Sequence, residues 1–190
     1  MALTVSTMLP LGTSMPHFEL PDVCSGVMVR SSDFVNYDAV LVMFLCRHCP
    51  YVVHIKNEVA RLGQDYQGKS VGIVAISSND AKAYPLDAPP SLAEMAKELG
   101  LTFPLCYDET QEVAKAFTAA CTPDFFVFDR GLQLAYRGQL DDSRPGNGKA
   151  VTGRDLRAAL DAILAGQPVP KEQRPSAGCN IKWKSGYISI

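Results

Sequence analysis

The stretch Ala39-Val40-Leu41-Val42-Met43-Phe44-Leu45 runs straight into Cys46-Arg47-His48-Cys49-Pro50. Its apolar part is unbroken and partly β-branched, which reads as a central strand buried on both faces. Beyond it, Val52, Ile55, Val59 and Leu62 recur at helical spacing, with Lys56, Glu58 and Arg61 between them. The spacing predicts a helix from about Arg47 to about Tyr66. Pro50 falls in its first turn, where a missing N–H costs least. The C-x-x-C therefore sits at a strand-to-helix junction.

Working outward, Gly72-Ile73-Val74-Ala75-Ile76-Ser77 reads as a second buried strand, and Phe103-Pro104-Leu105-Cys106-Tyr107 as a shorter one. The segment Tyr84-Pro85-Leu86-Asp87-Ala88-Pro89-Pro90 reads as an irregular loop. Ser91 is expected to cap a helix through Leu99, with Glu94 at the capping-box position and Gly100 closing it. Thr110 begins a further helix toward Phe117. Residues 125–129 and 132–136 flank Arg130-Gly131 as a hairpin. Thr152 is expected to cap a last helix, Leu156 to Leu164. Asp141-Asp142 reads as part of a solvated loop closed by Pro145. The first thirty or so residues suggest short strands and turns. Strands and helices alternate and the series ends on a hairpin. This gives an α/β fold: a central mixed sheet flanked by helices on both faces, with an N-terminal β extension. One domain covers residues 1–166; residues 167–190 form a tail packed on it or extending from it.

The spacing also carries chemistry. Two thiols at this distance can close a small disulfide ring and open it again. A thiolate is the attacking species, and free helix N–H groups, the helix dipole, Arg47 and His48 all favour it. On this reading Cys46 is the exposed nucleophile and Cys49, more buried, resolves the mixed disulfide. Cys121-Thr122-Pro123 precedes the hairpin. A cis Pro123 leaves the backbone beside it free to offer hydrogen-bonding groups to an incoming chain; a plain strand-start proline is the alternative. Cys121 reads either as a core residue or as a third redox partner, and Cys179 as a resolving thiol if the tail folds over the site. Cys24 and Cys106 read as core. Zinc would want a second cysteine or histidine pair, and haem attachment a histidine where Pro50 stands. No metal and no cofactor are expected.

The chain has 190 residues, 47% of them hydrophobic and 20% charged, with a formal net charge of −2. This is globular composition with no basic excess for nucleic acid. The apolar runs are too short to span a bilayer. No charged n-region precedes an apolar stretch at the N-terminus, so a cytoplasmic location is expected. There, structural disulfides are uncommon among the cysteines at 24, 46, 49, 106, 121 and 179.

Several pieces together resemble the thioredoxin superfamily, in particular its redoxin or AhpC/TSA branch of peroxiredoxin-like proteins. They are Pro16-His17-Phe18-Glu19-Leu20-Pro21-Asp22, Met43 to Val52 around the C-x-x-C, Tyr107-Asp108-Glu109-Thr110-Gln111, Cys121 to Phe126, Tyr136 to Pro145, and Gly178-Cys179-Asn180-Ile181-Lys182-Trp183-Lys184. The resemblance implies a thioredoxin-like fold and a thiol–disulfide oxidoreductase. Its substrate would be a protein or small-molecule thiol or disulfide, its electron donor of thioredoxin or glutathione type. Peroxide reduction is the alternative activity; a redox-sensing or metal-binding module is another. Peroxiredoxins carry P-x-x-x-T-x-x-C, with an arginine that helps to hold peroxide. In that register Cys49 takes the peroxidatic position, Cys46 the threonine, Val42 the proline and Pro123 the arginine. The missing threonine and arginine argue for disulfide exchange. Arg47-His48 between the cysteines resembles oxidising bacterial disulfide donors and implies a raised reduction potential.

Overall fold

The computed structural model describes residues 3–185. In chain order the elements are β1 (Leu3–Val5), β2 (Glu19–Pro21), β3 (Met28–Arg30), β4 (Ala39–Phe44), α1 (Pro50–Asp65), β5 (Val71–Ser77) and α2 (Pro89–Leu99). They continue with β6 (Leu105–Tyr107), α3 (Glu112–Ala116), β7 (Cys121–Thr122), β8 (Asp124–Asp129), β9 (Leu134–Gly138), α4 (Arg154–Leu164) and β10 (Ala177–Asn180).

Every residue of β4 is buried, as its unbroken apolar run requires. It lies at the centre of a five-stranded sheet of order β6-β5-β4-β8-β9. Strands β4, β5 and β6 are parallel; β8 runs antiparallel to β4, from Ala39↔Asp129 to Phe44↔Asp124, and β9 antiparallel to β8. Alternate β4 side chains build two cores. Leu41 and Met43 face α1, α2 and α4, where Ile55, Val59, Leu92 and Leu160 pack. Val40, Val42 and Phe44 face α3 and the N-terminal arm. Phe117 stands edge-on to Phe44, Phe126 and Phe128 in this second core, with ring centroids 5.4–5.9 Å apart. The α/β expectation of a mixed sheet flanked by helices holds. Three helices cover one face; the short α3 and the N-terminal arm cover the other.

All four helix starts differ from expectation; prolines explain those of α1 and α2, and α3 begins at Glu112 rather than Thr110. Helix α1 begins at Pro50, not Arg47, because Cys49 precedes a proline and is held extended at φ −72° and ψ 124°. Helix α2 begins at Pro89, capped by Ala88 rather than Ser91. Pro89 and Pro90 need no intrahelical N–H partner in a first turn, and Glu94 pairs with Arg47 instead of closing a capping box. Gly100 closes α2 in the left-handed region, as expected. Helix α4 starts at Arg154, ahead of Leu156, and its N-cap is Gly153 in the left-handed region rather than Thr152. Asp141, expected to be solvated, is buried and accepts the Thr152 and Gly153 N–H groups at 2.6 and 2.7 Å. Cys24, expected in the core, is exposed in the turn between β2 and β3.

A second sheet joins the two ends of the chain in the order β1-β10-β7, all antiparallel. Among the described residues no helix is long and apolar enough to cross a membrane.

Candidate functional site: a three-thiol cluster

The loop between β4 and α1 carries the C-x-x-C. Its turn is held by a carboxylate distant in sequence. Asp87, fully buried, accepts the Arg47 N–H at 2.8 Å and the His48 N–H at 3.4 Å. It also lies 2.5 Å from His48 Nδ1 and accepts from Asn79 Nδ2 at 2.8 Å. The Arg47 guanidinium reaches Ser91, Glu94 and Glu98 on α2, at 2.6–3.0 Å. It braces the loop against α2. The His48 ring stacks on Tyr84, with centroids 5.2 Å apart. His48 Nε2 is buried with no hydrogen-bond partner among the described residues. Pro50 occupies the first helical position.

Both sulfurs of the motif are buried, so the expected exposure of Cys46 is overturned. Cys46 Sγ lies 3.1 Å from Thr122 Oγ1, and Cys49 Sγ lies 3.2 Å from the Thr122 carbonyl oxygen. The Thr122–Pro123 bond is cis, as the sharper sequence reading has it. The segment expected to meet an incoming chain thus packs on both cysteines. Strand β10 pairs Cys179 with Thr122 and sets the Cys179 sulfur 2.7 Å from that of Cys49. Cys121 is buried beside the cluster; its sulfur lies 3.5 Å from the Pro123 carbonyl oxygen.

The cluster pulls the Cys49 thiol down and pushes its two neighbours, Cys46 and Cys179, up. A hydrogen bond from Cys46 lowers the Cys49 pKa to about 5 against the opposing effect of burial, and Cys179 and the N–H groups of Val52 and Cys179 add to this. Cys49 is also the N-cap of α1, where the helix dipole favours an anion. Donation to Cys49 pushes the Cys46 thiol well up, and burial and the Asp87 carboxylate add to it. Burial, then donation to Cys49, raises Cys179 to about 12. Burial raises Cys121. With α1 beginning at Pro50, the cysteine at its N-cap is Cys49 and not Cys46.

Cys46, His48 and Asp87 offer ligand atoms within 4.8 Å of one another. An ion there would displace the hydrogen bonds that hold the loop. Asp87 and Asn79 hold the loop of the motif, and the sequence reading missed both. Asp87 stands in a proline-rich loop with no spacing that links it to residue 47, and only the packing of that loop beneath the motif brings them together.

Comparison with known proteins places this geometry. A crystal structure of an uncharacterized conserved protein from Geobacillus kaustophilus is similar at 55% identity and TM-score 0.96, covering 98% of this chain and 99% of that one. A thiol:disulfide interchange protein of the thioredoxin family from Chlorobium tepidum TLS shares the fold, at 17% identity and TM-score 0.63, over 80% of this chain and 97% of that one. The thiol-disulfide oxidoreductase ResA of Geobacillus kaustophilus (strain HTA426) is 26% identical over 133 residues, 69% of this chain and 70% of its own length. The fold is thus thioredoxin-like, and with the AhpC/TSA family profile matching residues 11–137, the chain belongs to the AhpC/TSA family.

Proposed function

We propose that this protein is a thiol–disulfide oxidoreductase working through the Cys46/Cys49 dithiol. The observation that carries the reading is the placement of the two cysteines: Cys49 caps α1, and the Cys46 and Cys49 sulfurs lie 3.1 and 3.2 Å from Thr122 Oγ1 and the Thr122 carbonyl oxygen, beside the cis Thr122–Pro123 bond. Cys49 attacks a substrate disulfide and displaces one thiolate. Cys46 gives up its proton, attacks the Cys49 sulfur and releases the second thiolate, leaving the Cys46–Cys49 disulfide. The roles are the reverse of the sequence reading, because Cys49 caps α1 and its thiol is pulled down to about 5. Thr122 and Pro123 line the approach, and His48 and Asp87 hold the loop. A thioredoxin- or glutathione-type donor restores the dithiol, in a reducing cytoplasmic setting.

The test is turnover of a protein disulfide by purified reduced protein. Cys49→Ser is expected to lose it by at least about a hundredfold, since no sulfur then starts the exchange. Full activity in that variant would overturn the assignment.

One observation favours a second reading, a thiol peroxidase. Cys49 bears the thiolate in the register of the family's peroxidatic cysteine. Against it, Cys46 stands where the peroxide-binding threonine would be and Pro123 where the arginine would be, while Arg47 is committed to α2. The expected rate with hydrogen peroxide is that of an ordinary thiolate. A rate orders of magnitude faster, with the sulfenate on Cys49, would make peroxide the substrate.

A further inference from the structure

We propose that Cys49 has two resolving thiols, Cys46 on its own loop and Cys179 on β10, and that the oxidised protein partitions between Cys46–Cys49 and Cys49–Cys179 disulfides. This rests on the proposed exchange at Cys49 and adds a third sulfur to it. The Cys179 sulfur is already 2.7 Å from Cys49, so a shift of under about 1 Å brings the pair to bonding distance.

Cys179 is held there by a built arrangement. Its strand pairs on one side with β1, Leu3↔Cys179, and on the other with β7, Cys179↔Thr122. Gly178 lets the strand press against the Thr122–Pro123 backbone: a Cβ there would meet the Thr122 carbonyl oxygen at 2.0 Å and Pro123 Cδ at 3.1 Å. The next residues are anchored as well. The Lys182 N–H donates to Asn79 Oδ1 at 2.8 Å, and the Lys182 carbonyl accepts from Gln111 Nε2 and the Asp80 N–H, both at 2.9 Å. Asn79 also donates to Asp87, so one side chain ties the Cys179 segment to the loop of the dithiol.

The chemistry balances without a further reactant. Cys49 attacks a substrate disulfide, forming one S–S bond and releasing one thiolate. Cys179 loses its proton to that thiolate, attacks the Cys49 sulfur and expels the second one. The substrate gains two electrons and leaves as one thiol, carrying the Cys179 proton, and one thiolate, which takes its proton from solvent; the protein keeps the Cys49–Cys179 disulfide. The two disulfides interconvert when the free thiolate of Cys46 or Cys179 attacks Cys49 and releases the other, with no net redox change. One form leaves Cys46 free, the other Cys179.

The test is disulfide mapping of the full chain by mass spectrometry. Reduced protein is mixed with oxidised glutathione, quenched in acid and alkylated. Wild-type protein is expected to yield both linkages. Cys46→Ser is expected to form Cys49–Cys179 and to retain at least a tenth of the exchange rate. Only Cys46→Ser/Cys179→Ser should accumulate glutathione on Cys49. If Cys46→Ser alone accumulates that adduct beside fully alkylated Cys179, and wild-type protein shows only Cys46–Cys49, the second resolving thiol is ruled out and the dithiol reading survives. Glutathione trapped on Cys46 rather than Cys49 would overturn the attacking role of Cys49 and this inference with it.

Discussion

Cys49 stands between two thiols at the start of α1, and this has a pH signature. Its folded pKa, about 5, lies below the ordinary thiol value. The thiolate persists from neutral pH down to that point, so alkylation of Cys49 should stay level across about pH 6 to 8 and fall about tenfold per unit below 5. The linkage has the same direction. The thiolate stabilises the reduced fold fully above the unfolded thiol value of about 8.5, and that contribution is lost as pH falls through about 5. Urea denaturation of reduced wild-type protein and Cys49→Ser should therefore diverge as pH rises between those limits. Asp124 behaves oppositely. It is fully buried, burial pushes its pKa well up, and Oδ2 has no hydrogen-bond partner among the described residues. A raised acid favours folding below about pH 4 and loses that contribution as pH rises through its folded value. Asp124→Asn should match wild type in stability near pH 4 and exceed it at pH 7 by about 1 kcal/mol or more. Equal stability at both pH values would show that Asp124 stays ionised.

Strand β10 is the element on which the third thiol depends, and Gly178 is its narrowest point. Both atoms nearest an added Cβ belong to the Thr122 carbonyl, and backbone cannot rotate aside as a side chain can. Gly178→Ala should cost about 1–3 kcal/mol or more through overpacking, read as a lower urea midpoint at unchanged slope. As β10 moves off, Cys49 loses a donor, so the alkylation profile of Cys49 should shift to higher pH. An unchanged midpoint together with an unchanged profile would mean that β10 does not press on the cis-proline segment. Helix α1 teaches a related lesson. Val52, Ile55, Val59 and Leu62 lie on its buried face as their spacing requires. Its first residue was set by Pro50 and by the Asp87 carboxylate binding the Arg47 and His48 N–H groups. That three-residue difference moves the benefit of the helix terminus from Cys46 to Cys49.

At the scale of the molecule, distant segments are joined by buried polar contacts. Glu58 on α1 is buried and paired with Arg157 on α4 at 2.7 Å, with the more exposed Arg61 beside it at 3.1 Å. Arg157→Leu leaves that carboxylate with Arg61 alone and should destabilise the fold by about 3 kcal/mol, measured by thermal or urea unfolding; a loss under about 0.5 kcal/mol would place the pair with ordinary surface bridges. The sequence by itself determined the elements whose signal is local. The unbroken apolar run of β4, the helical spacing of α1, the hairpin of β8 and β9 and the glycine that ends α2 each show their structure within a few residues. The C-x-x-C at a strand-to-helix junction was legible for the same reason. Only the tertiary structure decided which sulfur caps α1, which carboxylate holds the loop, and that Cys179 meets Cys49. Strands β1, β7 and β10 have two to four residues each, too few for a period to register. Their pairing unites both ends of the chain with the cis-proline segment. Such contacts are made by residues far apart in sequence, and their energy comes from packing and burial that exist only once the chain has closed on itself.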